Sequence, residues 1–534
     1  MSVVLAREVI MDRVSMVKNG TRRLAIFALL LIAGINLLCD SDFVAKALAQ
    51  EAQGIMVINE DNDHYFKQNS SLMNEKDLQA YIDAMKGSRV THFFMCPQGQ
   101  RTSYRSHVHE AIWDEVDGKT SDNIWAKNCK ILHEKGIDPY AVWIVRCREN
   151  GISPWITMRM NDVHFVTERN YFRNTNFWRT HPELWRVPHA TSGNWTDYAF
   201  NYAKKEVRDY HLACVRELFE RYDFDGFELD WMRFCLHLTP GREREEAHFL
   251  TEFVREVRKI ADDWEKKRNH PIQLSVRVPA QPEAALALGM DATLWAKEGL
   301  VDWIVASCFF SSGDMDIPVE AWKSQLEGTP VLVLVAIDDG ISPGSGVPRT
   351  PISEEVYNAW ATNHFYRGAD GLYLFNLVYR PDLFKKLIAS GLDYARVVEA
   401  PRRHPITHHD YMATPNGIER DMQLPKKLRE PADFRVAFGK KPAQGSVFVV
   451  VAFRESASRE GENFDPNSWE ISLNGSTPTA LGVVSNATIY GRAQSAIRAE
   501  FPLSAALDGE NCVRVAPKSN SEATLIWVEM ECGF

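Results

Sequence analysis

Between residues 53 and 392 the chain repeats one pattern about eight times: a short apolar run of strand length, then a stretch with helical spacing. Strands are predicted at 90–96, 154–161, 197–202, 225–232, 273–280, 302–309, 331–338 and 371–377. Helices are predicted at 126–133, 140–149, 205–222, 244–267, 319–326 and 353–365. A chain that alternates in this way covers both faces of its sheet with helices, so the strands must run parallel. Eight such units predict an α/β fold, a (β/α)8 TIM barrel, over residues 50–395. The competitor is an open doubly wound sheet. The strand count and the absence of a G-x-G-x-x-G after any strand weigh against it.

One strand is unusual. In Phe224-Asp225-Gly226-Phe227-Glu228-Leu229-Asp230-Trp231, apolar Phe227, Leu229 and Trp231 alternate with Gly226, Glu228 and Asp230. The two sets point to opposite faces. With the apolar set packed outward against helices, Glu228 and Asp230 point into the barrel. Inward carboxylates are costly to bury unless paired or used, and at the C-terminal end of a barrel strand they commonly serve chemistry.

The neighbouring strands supply charges to match. Ile156, Met158 and Met160 alternate with Thr157, Arg159 and Asn161; Leu274, Val276 and Val278 alternate with Ser275 and Arg277. Arg277 is expected beside Glu228 or Asp230, holding that carboxyl ionised. If it pairs with Glu228, Asp230 lies nearer the mouth and keeps the higher pKa. Glu228 is either a partner in catalysis or half of a buried ion pair. Arg159 either binds an anionic substituent of a substrate or neutralises the acidic pair. Asp162, Asp314, Asp338 and Asp339 follow other strands and are candidate second carboxyls, although loop aspartates more often cap turns. Asn376 and Tyr379 close the last strand as candidate hydroxyl binders.

The connection at 162–194 is long and carries His164, Tyr171, Phe172, Phe177, Trp178, Trp185 and His189. Long connections in compact domains are commonly binding loops or lids. These aromatics, Trp178 among them, either stack on sugar rings or form the loop's own small core. Asp162, His164 and His189 match no strong metal-ligand spacing, and neither a metal nor a cofactor is expected.

At the N-terminus, Arg22 and Arg23 precede an apolar run to Cys39, with Ala47-Leu48-Ala49 beyond. That order describes a secretory signal peptide over residues 1–49. The protein is therefore expected to be exported, to a bacterial periplasm or the exterior, with a membrane tether only if the segment stays uncleaved. The net charge of -10 leaves no basic field for nucleic acid. No two cysteines form a C-x-x-C pair, while Cys512 and Cys532 are close enough in sequence to pair. Residues 396–441 read as a Pro-, Arg- and His-rich connector. Beyond it, short strands at 446–453, 468–473, 497–501, 512–515 and 524–531, with an Asn474-Gly475 turn, predict an antiparallel β-sandwich over 442–534.

Two stretches carry a resemblance. Lys204-Lys205-Glu206-Val207-Arg208-Asp209-Tyr210, followed by a helix and then Tyr222-Asp223-Phe224-Asp225-Gly226-Phe227-Glu228-Leu229-Asp230, resembles the "pEVRdY … yDvDGihlDy" stretch of family-10-like bacterial glycosyl hydrolases. The likeness implies an exported barrel with Asp230 at an active site. It extends loosely over residues 78–392, including Arg159-Met160-Asn161-Asp162. The same strand is similar to the D-G-x-D-x-D-x-E motif of family 18 chitinases at Asp225, Gly226 and Asp230. There Glu228 replaces an Asp and Met232 stands where the catalytic Glu would be, which argues against chitinase-type chemistry. Residues 469–475 and 507–515 resemble galactose-binding-like jelly rolls. The resulting expectation is a glycoside hydrolase acting on a polysaccharide or glycan, with Asp230 and Glu228 catalytic. Arg159, Asn161, Asp162, His164, Trp178, Arg277, Asp338 and Asn376 are the expected substrate contacts. The alternative is a non-catalytic carbohydrate-binding barrel.

Overall fold

The computed structural model describes residues 54–308, 313–390, 393–408, 422–454, 464–518 and 522–534; the expected signal segment lies outside them. Eight parallel strands close a barrel: β1 Ile55–Glu60, β2 His92–Met95, β3 Ser153–Arg159, β4 Gly226–Asp230, β5 Gln273–Pro279, β6 Trp303–Ser307, β7 Leu332–Ile337 and β8 Gly371–Phe375. Around the barrel the order is β1-β8-β7-β6-β5-β4-β3-β2. Seven of the eight lie where strands were expected. The exception is 197–202, where Trp195–Tyr198 is a 3-10 helix. Its alternating aromatics reflect packing within a loop rather than a ladder. The remaining place in the barrel belongs to Ile55–Glu60, which pairs with both β2 and β8.

The pleat sorts the side chains as the alternation requires. Phe227 and Leu229 join the apolar layer under the helices, together with Ile156, Met158, Leu274 and Val276. In the opposite direction, Val57, Phe94, Trp155, Trp303, Val305, Leu334 and Tyr373 fill the barrel. Trp155 stacks on Phe94 at 4.6 Å and on Trp303 at 4.4 Å between ring centroids. This plug explains Gly226: a Cβ there would sit 2.3 Å from the Trp155 ring. The floor beneath the carboxylates is thus solid aromatic, and the polar residues are displaced toward the strands' C-terminal ends.

The helices follow from local signals. Lys205–Arg221 buries Val207, His211, Cys214, Val215, Leu218 and Phe219, a stripe at helical spacing. Pro139–Glu149 starts on Asp138, whose carboxylate accepts the amides of Tyr140 and Ala141, with Pro at the first helical position. Among the described residues no helix is long and apolar enough to cross a membrane.

Beyond residue 400 the chain forms two antiparallel sheets. One has six strands, including Ser446–Phe453, Ser495–Pro502 and Ala523–Cys532; the other has Ala432–Gly439, Gly509–Pro517 and Trp469–Leu473. Phe434, Val436, Val513 and Val515 of the small sheet share one apolar cluster with Val447, Val449, Val451 and Met530 of the large one. The stretch expected as a connector contributes strands to both sheets: Arg402–Pro405, Lys426–Leu428 and Ala432–Gly439. Its prolines and arginines masked the alternation of buried Phe434, Val436 and Phe438. Asn474 and Gly475 both take positive φ, 50° and 81°, as a tight hairpin turn requires. Cys512 is exposed, Cys532 is buried, and they are not joined.

The barrel and the sheets meet through the helix Glu354–Tyr366. Every residue from Val356 to His364 is buried, so this helix has no wet face. Its Asn363 backbone approaches Gly439 so closely that a Cβ there would lie 2.7 Å from the Asn363 Cα. Gly54–Phe534 is accordingly one compact unit.

Candidate active site

The polar layer begins with Glu228, which has no solvent exposure. Thr157 and Tyr373 hydroxyls donate to its Oε1 at 2.7 and 2.8 Å, and the Ser275 hydroxyl donates to Oε2 at 3.3 Å. Burial, reinforced by the nearby Asp230 charge, pushes its carboxyl up to about 7. Asn59 of β1 donates in turn to the Tyr373 hydroxyl at 2.8 Å. Glu228 is therefore a carboxyl with a raised pKa at the bottom of the polar layer, tied to β3, β5 and β8.

Asp230, one pleat higher, takes Arg277 instead. The pairing register brings the two residues side by side. Arg277 donates from Nε to Oδ1 at 2.9 Å and from Nη2 to Oδ2 at 2.7 Å, and the amides of Met232 and Arg233 donate to Oδ1 at 3.1 and 3.0 Å. Asp230 is 2% exposed. Of the two pairings open to Arg277, the structure has the one with Asp230. Asp230 is the ion-paired group and Glu228 the one with the raised pKa, because the guanidinium reaches only the upper carboxylate. Arg277 spends its remaining reach on the Ser307 hydroxyl at 3.1 Å, and its guanidinium lies 4.3 Å from the Phe375 ring centre.

Arg159 bridges two carboxylates. Its Nη2 contacts Asp61 and its Nη1 donates to Asp162 at 2.8 Å. These charges hold Asp61 well below the usual carboxylate range despite its burial. Arg159 is thus bonded to neither member of the expected acidic pair, Glu228 and Asp230; its charge is matched by Asp61 and Asp162. Asp162 is saturated: Arg159, Arg173 at 2.9 Å, and the amide and Nδ1 of His164 at 3.0 and 2.6 Å all donate to it. Burial drives the His164 ring down to about 4, so it is neutral at pH 7. With Nδ1–H given to Asp162, its Nε2 accepts from Arg233 at 3.1 Å.

Two expected sugar contacts prove structural. Asn161 is 1% exposed; its amide donates to the carbonyls of Phe200 and Leu236 and its oxygen accepts the Phe200 amide, stitching three loops together. Trp178 is also 1% exposed. It stacks on Trp185 at 4.9 Å and donates to the Tyr198 carbonyl, so it belongs to the loop's own small core. His189 is exposed and lies outside the cluster. Asp314 is buried and accepts Thr407 and the Asp316 amide, a turn-forming role.

At the end of β7, Asp338 is in a different state. It accepts Asn376 at 3.1 Å and the adjacent Asp339 amide at 2.7 Å, and burial pushes its carboxyl up to about 6. No guanidinium is bonded to it among the described residues. Asn376 reaches it from a left-handed conformation, φ 59°, which asparagine tolerates.

Sequence reasoning overlooked the end of β1. Asp61, Asp63 and His64 bring one ligand-type atom each within 4.8 Å of one another, so this is where a cation could be held. They are already matched in charge: Arg159 contacts Asp61 and Lys67 lies 2.6 Å from Asp63. Glu60, Asp61 and Asp63 together raise the His64 pKa against the effect of its burial. The half-exposed Tyr379 lies edge-on to His64 at 4.0 Å and donates to Asp63 at 3.3 Å. The signal was the polar run Asn59-Glu60-Asp61-Asn62-Asp63-His64 directly after an apolar strand.

No protein-family model matches the chain, and no curated protein matches it in sequence. Similar solved structures include the PgaB (BpsB) glycoside hydrolase domain from Bordetella bronchiseptica, at 11% identity and a TM-score of 0.40, covering 63% of this chain and 99% of that one. A GH36 alpha-galactosidase from Geobacillus stearothermophilus solved with stachyose shows 13% identity and a TM-score of 0.36, covering 87% of this chain and 55% of that one. A cycloisomaltooligosaccharide glucanotransferase from Paenibacillus shows 10% identity and a TM-score of 0.34, covering 89% of this chain and 57% of that one. The chain thus spans little more than half the length of the last two.

Proposed function

We propose that this protein is an exported glycoside hydrolase whose barrel mouth binds a polysaccharide or glycan, with the C-terminal sheets forming a galactose-binding-like sandwich beside it. One observation carries the reading. Two strand ends present carboxyl groups in opposite environments: Asp230 accepts four N–H donors, while Asp338 has a carboxyl raised to about 6. Glycosidic cleavage needs one carboxyl that donates a proton and one that stays an acceptor, and a raised carboxyl beside an ion-paired one suits those two roles. Asp338 is then the general acid, oriented by Asn376. Asp230 is the fixed negative charge that stabilises the oxocarbenium-like transition state. Glu228, beneath it, is held by Thr157, Ser275 and Tyr373 and does not reach substrate. The resemblance of residues 204–230 to family-10-like glycosyl hydrolases supports the same class.

The second reading, a non-catalytic carbohydrate-binding barrel, draws on the saturation of Asp230 and on Met232 at the position of the chitinase acid. A panel of glycans separates the two. The wild type should cleave at least one, with a rate that falls as pH rises through about 6, because the acid must hold its proton. D338N, nearly isosteric with the protonated acid, should lose at least a hundredfold in kcat without a lower melting temperature than wild type. Binding without cleavage by wild type, or full activity in D338N, would end the hydrolase assignment as stated.

A further inference from the structure

Four guanidinium groups converge on the strand ends: Arg159, Arg173, Arg233 and Arg277. Three of them are in ion pairs with Asp61, Asp162 or Asp230. Arg233 is different. Among the described residues it forms no ion pair within salt-bridge distance, and its buried Nε makes no hydrogen bond. Its one side-chain partner is the neutral imidazole of His164, at 3.1 Å. A buried charged donor left without a partner is costly, and an anionic ligand at the strand ends would meet it.

The surroundings hold that guanidinium in place. Its carbon lies 5.3 Å from the Phe234 ring centre and 5.8 Å from that of Phe375, within the range of cation–π attraction. Phe234 has φ 68° and Phe165, which follows His164, has φ 59°. Bulky aromatics rarely adopt such angles, and the strain collects at binding and catalytic sites. Each partner of the Arg233–His164 contact is thus followed by a strained phenylalanine. Phe234 also meets the partly exposed Trp195 edge-on at 5.4 Å, an aromatic pair of the kind that packs against a sugar ring. Burial and the Arg159 charge lower the Arg233 pKa, Asp61 and Asp162 partly offset this, and the Arg233 charge is felt in turn at Asp61 and at Asp338.

We infer that the substrate is an acidic glycan, and that Arg233 seats its carboxylate or sulfate beside Asp338. This rests on the carbohydrate reading above and narrows it: the planar fork of arginine fits a two-oxygen anion, and Arg233 is the one of these four guanidiniums that no described carboxylate contacts directly.

Calorimetric titration of the mature chain tests the inference without requiring turnover. The probes are trigalacturonate, a sulfated galactan oligosaccharide, and neutral galactotriose, against wild type, R233K and R233Q. At least one acidic probe should bind ten-fold or more tighter than the neutral one, with the advantage shrinking from 50 to 300 mM NaCl. R233Q should remove that advantage while leaving neutral binding alone, and R233K should keep part of it. Which acidic probe binds tells uronate from sulfate recognition. As a probe independent of sugar identity, inorganic sulfate at matched ionic strength should raise the melting temperature of wild type more than that of R233Q. Equal binding of all probes by wild type, equal loss in R233Q for neutral and acidic probes, or the lack of any anion preference in both assays overturns it. Acidic binding with no cleavage leaves this inference standing and removes the hydrolase. Cleavage of neutral glycans alone does the reverse.

Discussion

Glu228 and Asp230 sit two residues apart on one strand face, yet one is a buried carboxyl with a raised pKa and the other is half of an ion pair. The difference has a measurable consequence for stability. The Glu228 carboxyl is pushed up to about 7 in the fold, against an ordinary value of about 4.3 when unfolded. The folded chain therefore holds this proton more tightly, and the stability it contributes is complete below about pH 4.3 and lost as pH rises through about 7. E228Q, which mimics the neutral acid, should flatten the decline in melting temperature between pH 5 and 8. Asp338 and Glu529, raised to about 6 and about 8 by burial, titrate in the same direction, so the decline should shrink rather than vanish. An unchanged slope would show that Glu228 is ionised in the fold. At Asp230 the expectation is different in kind. D230N leaves Arg277 buried without its counter-charge, which costs roughly 3–5 kcal/mol. Loss of activity in that variant would thus be confounded by loss of fold, and Asp338 is the cleaner position at which to test the chemistry.

At the scale of elements, β4 shows what period-two patterning can and cannot tell. Alternation alone placed Phe227 and Leu229 under the helices and Glu228 and Asp230 inside, and the strand pairing agrees. It also left Gly226 unexplained until Trp155 was seen lying across it. G226A should therefore destabilise the barrel by about 1–3 kcal/mol through overpacking, read as a lower urea midpoint with an unchanged slope. A neutral effect would mean that the Trp155 ring can swing aside. The loop at 162–194 was legible only as aromatic. Whether its rings face sugar or one another depends on contacts with Tyr198, Phe200 and Tyr210, residues whose role no local pattern announces. The same limit applied to Asn161, whose partners lie 39 and 75 residues away. The end of β1 was legible in the sequence: the apolar run 55–58 gives way to polar residues from Asn59 to His64.

The whole molecule is bound together by the helix Glu354–Tyr366, whose two sides are covered by barrel and sheet. A chain ending at residue 395 should expose Trp360 and Tyr357 along with the rest of that face, and should aggregate or melt well below the full-length protein. If it folds as a stable monomer instead, the sheets are an accessory rather than a part of the core. The sequence by itself determined the class of fold, the inward direction of Glu228, Asp230, Arg159 and Arg277, and the acidic character of the strand ends, because each depends only on local period and on which side chains tolerate burial. Only the tertiary structure decided which cation meets which carboxylate, which aromatics are already spent on one another, and which guanidinium is left over. Those outcomes depend on distances between strands and loops far apart in the chain, and a shift of a few ångströms redistributes charge pairs that composition leaves the same.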